Sequence, residues 1–238
     1  MRLLVTRPRA EAEKTAAELK RRGHRALIAP VLAIEPVTGA TFDPKSCDAI
    51  IMTSGNAARA LAAHPALSRS LKLPVVAVGG QTAQAARATG FSEVVSAEGD
   101  AADLVALARA RWGKTGGRLL YLAGNDRSRD LAAEFAGSGI HVETVVVYSA
   151  NAAIRLPDDA EQAIREGAVD GVLHYSRRST AIFLDCTDKG GLSAFVQPLA
   201  HYCLSARAAE PLSARGFRGI RIAPQPGEAA LLDLIASG

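Results

Sequence analysis

Six short polar segments in the chain carry the residue types that could do chemistry. They are Thr6-Arg7-Pro8, Thr53-Ser54-Gly55-Asn56-Ala57, Gly79-Gly80-Gln81-Thr82, Gly124-Asn125, Ser176-Arg177-Arg178-Ser179 and Ser205-Ala206-Arg207. Each follows an apolar run of strand length, and several stand where a helix should begin. Free backbone N–H groups and the positive end of a helix dipole favour a carboxylate or phosphate at such places. Ordinary helix caps use the same residues. A ligand role is expected first for Thr53, Ser54, Asn56 and Ala57 together with Gly79 and Thr82, because these two segments sit on neighbouring strands and recur later in the chain.

Familiar catalytic and nucleotide motifs do not account for these segments. Gly113-Lys114-Thr115 would need a glycine at position 108 to form a phosphate loop, and Ala108 stands there on a helix. No GxGxxG occurs. His24, His64, His141, His174 and His201 share no short spacing, and Cys47, Cys186 and Cys203 form no CxxC pair, so no metal site is expected. His201 and Cys203 fall on one face of a strand and read as a packed pair. No Ser/His/Asp set can be assembled from spacing.

The elements that must position the polar segments repeat. Residues 118–148 read as a strand (Leu119 to Leu122), a turn, a helical face (Leu131, Ala132, Phe135) stopped by Gly137 and Gly139, and a β-branched strand from Val142 to Tyr148. Arg2 to Ala29 is a copy displaced by 116 residues, Gly23 falling on Gly139. A longer unit repeats too. Asp48 to Ser54 matches Asp170 to Ser176 at a displacement of 122, and Gly90-Phe91 matches Gly216-Phe217 at 126. The third strands are then Glu93 to Ser96 and Gly219 to Ala223, and the closing helices Ala102 to Ala110 and Glu228 to Ile235. Two strands from a short unit and three from a long one predict an α/β fold of two domains, each a mainly parallel five-stranded sheet flanked by helices. Pro30 to Pro36 reads as an extended linker. The polar, glycine-rich 112–117 looks like a linker and favours a single cut there; the alternative is two cuts, near 34–41 and 148–156, and composition does not decide between them.

A chain of 238 residues with 48% hydrophobic residues can build a core for each domain. No apolar run approaches the roughly 18 residues of a membrane span, and no signal pattern precedes Leu3-Leu4-Val5, so the expected address is the cytoplasm. The net charge of +4 is dispersed among few aromatic residues, which suits a small anionic ligand better than nucleic acid.

Over its whole length the sequence resembles the uroporphyrinogen-III synthase family. The resemblance is carried by Leu3-Leu4-Val5-Thr6-Arg7-Pro8, by Asp48 to Ala57, by Ala77-Val78-Gly79 with Thr82-Ala83, and by the unit ending in Val147-Tyr148. It implies a discontinuous domain of 1–35 and 154–238, an inserted domain of 40–148, and two extended connectors with the active-site cleft between the domains. It also implies conversion of hydroxymethylbilane to uroporphyrinogen III, with loss of water and inversion of the last ring, without a cofactor, by a monomer. The substrate's eight carboxylates suit helix-start anion sites. Tyr148 is the implied proton donor to the departing hydroxyl. Thr6, Arg7, Thr53, Ser54, Asn56, Ala57, Gly79, Thr82, Gly124, Asn125, Ser176, Arg177, Ser179, Ser205 and Arg207 are the expected substrate contacts. The second long unit departs from the family pattern at Tyr175 to Ser179 and at Ala208, leaving Arg177, Arg178 and Arg207 as carboxylate candidates. The alternative from another class is a non-catalytic two-lobed module that closes on a small anionic metabolite.

Overall fold

The computed structural model describes residues 1–127, 130–225 and 227–236. The chain opens with β1 (Arg2–Val5), α1 (Arg9–Arg21) and β2 (Arg25–Ile28), followed by β3 (Leu32–Pro36) and a 3-10 turn at Pro44–Ser46. The first long unit contains β4 (Ala49–Met52), α2 (Gly55–Ala62), α3 (Leu67–Ser70), β5 (Val75–Ala77), α4 (Gly80–Ala88), β6 (Val94–Ser96) and α5 (Ala101–Trp112). The second short unit is β7 (Arg118–Gly124), α6 (Leu131–Glu134) and β8 (His141–Ala152). The chain closes with α7 (Asp158–Arg165), β9 (Gly171–His174), α8 (Arg177–Lys189), α9 (Ser193–Val196), β10 (Ala200–Cys203), α10 (Ala206–Ala214), β11 (Ile220–Ile222) and α11 (Glu228–Ala236).

Two compact units result, one of Met1–Ala33 with Asn151–Gly238 and one of Ile34–Ala150. The glycine-rich 112–117 lies inside the second unit. In the first, the sheet order is β11-β10-β9-β1-β2, all parallel. In the second it is β3-β8-β7-β4-β5-β6, parallel from β8 to β6.

The sequence repeat is a register repeat. Leu3 pairs with Gly171, and Leu119 with Ala49. Leu3 pairs with Ala26, and Leu119 with Val142. His201 pairs with Val172 and Ile220, and Val75 with Ile50 and Val94. Each pair maps onto its counterpart at the displacements read from sequence. The central strands β4 and β9 are buried throughout, as parallel strands covered on both faces must be. The repeated aspartate serves the opposite end of the sheet from the polar segments. Asp48 accepts a hydrogen bond from the Arg118 backbone N–H at 2.8 Å, and Asp170 from that of Arg2 at 2.6 Å.

Two elements differ from expectation. The linker at Leu32–Pro36 is a sixth strand of the second sheet. Val37 N–H donates to the Val147 carbonyl and Ala153 N–H to that of Val31, which sets β3 antiparallel to the end of β8. β8 runs on to Ala152 and pairs there with β3, and Pro36 is tolerated at the end of β3 because that is the edge strand. The helix after β7 is a single turn, because it has only the space between its Asp130 cap and Gly137, whose φ is +73°.

Candidate functional site

At the carboxyl ends of β4, β7 and β8 a cavity of about 230 Å³ is lined by Thr53, Ser54, Gly124 and Tyr148, together with Ala101, Tyr121, Asp126, Arg127 and Leu131. This is the edge where parallel sheets hold ligands. The position of Tyr148 follows from a backbone irregularity. Ala123 pairs with Val146 but Gly124 pairs with Tyr148, so Val147 is an extra residue in β8. A bulge of this kind re-aims the side chain after it. Val145 and Val147 alternate onto the cluster formed by Ile50, Met52, Ala57 and Leu61, and the extra residue brings Tyr148 onto that same face.

Gly124 is required beneath that ring. A Cβ on Gly124 would lie 2.7 Å from Tyr148 Cζ, 2.8 Å from Cε2 and 2.9 Å from the hydroxyl. Asn125 fixes the backbone that leaves the tyrosine. Its N–H donates to the Tyr148 carbonyl at 3.0 Å, and its side-chain oxygen accepts from Ala150 N–H at 3.1 Å. Burial raises the pKa of the Tyr148 phenol, against the lowering effect of its hydrogen bond with Ser54. It therefore keeps its proton at neutral pH.

Other expected contacts in this unit have structural partners. Ser54 caps α2, accepting from Asn56 N–H at 3.2 Å, and the Asn56 side chain accepts from Arg59. Ala57 is fully buried on α2, and Thr82 is buried on α4 at 6% exposure. Gly79 stands at the start of α4 and offers no side-chain cap. The Glu98 carboxylate lies beside the following Gly80, and Glu98 has a φ of +52°, so the chain presents an anion of its own there. Asn56, Ala57, Gly79 and Thr82 do not line the cavity.

The corresponding edge of the first unit is more heavily engaged. Thr6 is fully buried and its hydroxyl donates to the Leu173 carbonyl at 2.7 Å. Arg7 donates to Glu228 at 3.0 Å and to Thr15 at 3.3 Å, and its guanidinium lies 4.3 Å over the Tyr175 ring. Burial pushes the Tyr175 phenol up to about 12. Ser176 and Ser179 form a capping box on α8, and Ser205 caps α10 by accepting from Ala208 N–H. Arg177 pairs with Glu210 at 3.1 Å, and Arg207 is exposed.

Sequence reasoning did not single out Tyr121 or Arg127. Tyr121 sits in an aliphatic strand and reads as core. The available signal was its hydroxyl, which needs a partner once buried; that partner is Thr53 Oγ1 at 3.0 Å. Among the described residues, no group of three His, Cys, Asp or Glu side chains could hold a metal ion, and no helix is long and apolar enough to cross a membrane. The three cysteines are free and buried.

A family model described as uroporphyrinogen-III synthase HemD matches residues 13–233. Among solved structures, uroporphyrinogen-III synthetase from Helicobacter pylori 26695 aligns with a TM-score of 0.69 at 19% identity, covering 100% of this chain and 99% of that one. A mutant uroporphyrinogen III synthase from the extremely thermophilic bacterium Thermus thermophilus aligns with a TM-score of 0.56 at 18% identity, covering 100% and 98%. At these identities the two structures speak for the fold alone. No curated protein matches the chain.

Proposed function

The chain belongs to the uroporphyrinogen-III synthase family, the cyclising enzymes of porphyrin biosynthesis, and from that premise we propose that Tyr148 delivers the proton with which hydroxymethylbilane loses its hydroxyl as water. The observation that carries this reading is the bulged register that turns Tyr148 over Gly124 into the cavity beside Thr53 and Ser54. A phenol held protonated by burial donates a hydrogen bond to the departing oxygen, and the proton follows as the carbon–oxygen bond breaks. The cation left on the tetrapyrrole is reactive without further help. What the protein must then supply is a held conformation for ring inversion and closure. Few acid-base side chains are needed for that.

Substrate carboxylates are proposed to meet helix-start N–H groups and the side chains of Thr53 and Ser54, with the backbone at Gly79, in the inserted domain, 40–148. In the discontinuous domain, 1–35 with 154–238, Arg177, Arg207, Ser176, Ser179 and Ser205 are the proposed contacts. In this reading the enzyme is a cytoplasmic monomer without a cofactor, and its partner is a small tetrapyrrole rather than nucleic acid. Sedimentation at micromolar concentration checks the monomer.

Tyr148→Phe should preserve the fold and lower turnover about tenfold, close to 1.4 kcal/mol of barrier. The loss is incomplete because the hydroxyl also departs unassisted. Turnover of hydroxymethylbilane at the parent rate, with the same product isomer, would make Tyr148 structural.

A further inference from the structure

Resting on the reading of Tyr148 above, we propose that Tyr121 is a second hydroxyl donor to the departing oxygen of the substrate, oriented by Thr53. Tyr121 rises from β7 within the apolar cluster of Leu104, Ala108 and Phe135, on the sheet face opposite to the one that packs Tyr148. The two phenols reach the carboxyl edge from opposite faces and line the same cavity of about 230 Å³. Tyr121 is joined to a hydroxyl at the end of β4, that of Thr53 at 3.0 Å, and Ser54 lines the cavity with Tyr148.

The internal copy argues against a purely structural role. By register, Val5 stands in the first unit where Tyr121 stands in the second, since Val5 pairs with Leu173 as Tyr121 pairs with Ile51. A valine suffices to fill that strand position in the same sheet architecture. Tyrosine at 121 therefore adds a hydroxyl that the fold does not need, and it adds it at the ligand edge.

The hydrogen bond to Thr53 leaves the phenol proton available. When Thr53 donates its own hydroxyl proton to the Tyr121 oxygen, the Tyr121 proton is free to point into the cavity. A departing hydroxyl oxygen has two lone pairs, so it can accept from Tyr148 and Tyr121 together. Tyr148 transfers its proton as water leaves. Tyr121 keeps its own and holds the oxygen in line, so atoms and charge balance without another reactant.

The test is a double-mutant cycle on hydroxymethylbilane with Tyr121→Phe, Tyr148→Phe and the pair, together with Thr53→Val. Tyr121→Phe should lower kcat about tenfold with little change in KM, as expected for a group that acts on the breaking bond. The double variant should lose less than the product of the single losses, because both donors serve one oxygen. Thr53→Val, which removes the orienting hydroxyl together with the carboxylate contact proposed for it, should show a smaller kcat loss in the same direction beside a raised KM. A parental kcat for Tyr121→Phe beside a slow Tyr148→Phe would overturn this proposal and leave Tyr148 in place. Parental kcat in both single variants would overturn the Tyr148 reading as well. If Tyr121→Phe is slow but its melting temperature falls by many degrees and its loss multiplies fully with that of Tyr148→Phe, Tyr121 is a packing residue and the proposal fails.

Discussion

The two units of the chain share strand order and register yet differ where a side chain's chemistry matters. At the two positions where the second unit places Met52 and Val75, the first places His174 and His201. Met52 and Val75 are fully buried in an aliphatic cluster. The histidines are fully buried too, with His174 Nε2 3.0 Å from His201 Nδ1 and His201 Nε2 2.9 Å from the Val196 carbonyl. Because that carbonyl can only accept, His201 must carry its proton on Nε2 and accept at Nδ1, so His174 must donate from Nε2. His174 Nδ1 is then an acceptor, buried without a hydrogen-bond partner. The difference is reversed at the ligand edge. There the first unit ties Arg7, Thr15, Glu228 and Tyr175 to one another, while the second has a cavity edged by hydroxyls. Register repeats because both sheets must pair and pack. Side chains beyond the strand ends are under no such constraint.

The largest effect that would test this division is at Gly124. Gly124→Ala places a methyl 2.7 Å from the Tyr148 ring, and the ring is the part that can yield because one side of it borders a cavity. Stability should fall by about 1 kcal/mol, the low end of what overpacking costs, since the backbone there is not in the left-handed region and the clash falls on the far end of a side chain. Turnover should fall about a hundredfold, the scale expected when a reacting group is misplaced by an ångström. Steady-state kinetics beside a thermal melt separates the two. A stable protein with parental turnover would mean that the position of Tyr148 is immaterial.

Next comes the response to acid, which should belong to the first unit. Burial, then the charge of His201, holds the His174 pKa well below its usual value, and burial lowers that of His201 against the opposing Val196 carbonyl. As pH falls through about 6.5 the unfolded chain takes up protons that the folded unit resists. The stability contributed by the neutral pair is therefore complete above that pH and is lost as pH falls towards the folded values. The slope is at most about 1.4 kcal/mol per pH unit for each histidine. The double variant His174→Met with His201→Val reproduces the pair found in the second unit and should flatten the decline. Urea midpoints for parent and variant between pH 7 and 5 measure the difference. Parallel curves would show that the histidines are not held neutral.

Much of this architecture is legible in the sequence, and the parts that are not share a cause. Strand runs, stopping glycines and the displacements of 116, 122 and 126 residues correspond to the observed registers because apolar periodicity and turn chemistry are local. The pairing of β3 with the end of β8 is not legible, since Leu32 to Pro36 reads as a linker until the edge beside it is known. Likewise the extra residue in β8 is invisible in Val145-Val146-Val147-Tyr148, where β-branched residues suit either face. Tyr121 reads as core because its partner, Thr53, lies 68 residues away. His174 and His201 lack a short spacing because they meet across neighbouring strands.

The smallest expected effect is at the edge of the first unit. On sequence grounds Arg177 and Arg207 are expected to hold substrate carboxylates, and their surroundings scale that expectation. Arg177 is paired with Glu210 at 3.1 Å, but both side chains are more than half exposed, so the pair is screened and contributes little to stability. Releasing Arg177 to a ligand therefore costs little. Arg207 is exposed on the first turn of α10, where its charge is open to salt. The combined substitution Arg177→Ala with Arg207→Ala should raise KM for hydroxymethylbilane several-fold at low salt, and the ratio of variant to parent should shrink as salt is added. Turnover should hold, because these groups bind substrate and transition state alike. The equivalent kinetics for Tyr148→Phe should show the opposite split, a lowered kcat with KM nearly unchanged. If the double arginine variant keeps a parental KM from low to high salt, the first unit contributes no side-chain charge to binding at these positions, and both arginines are solvated residues at helix starts.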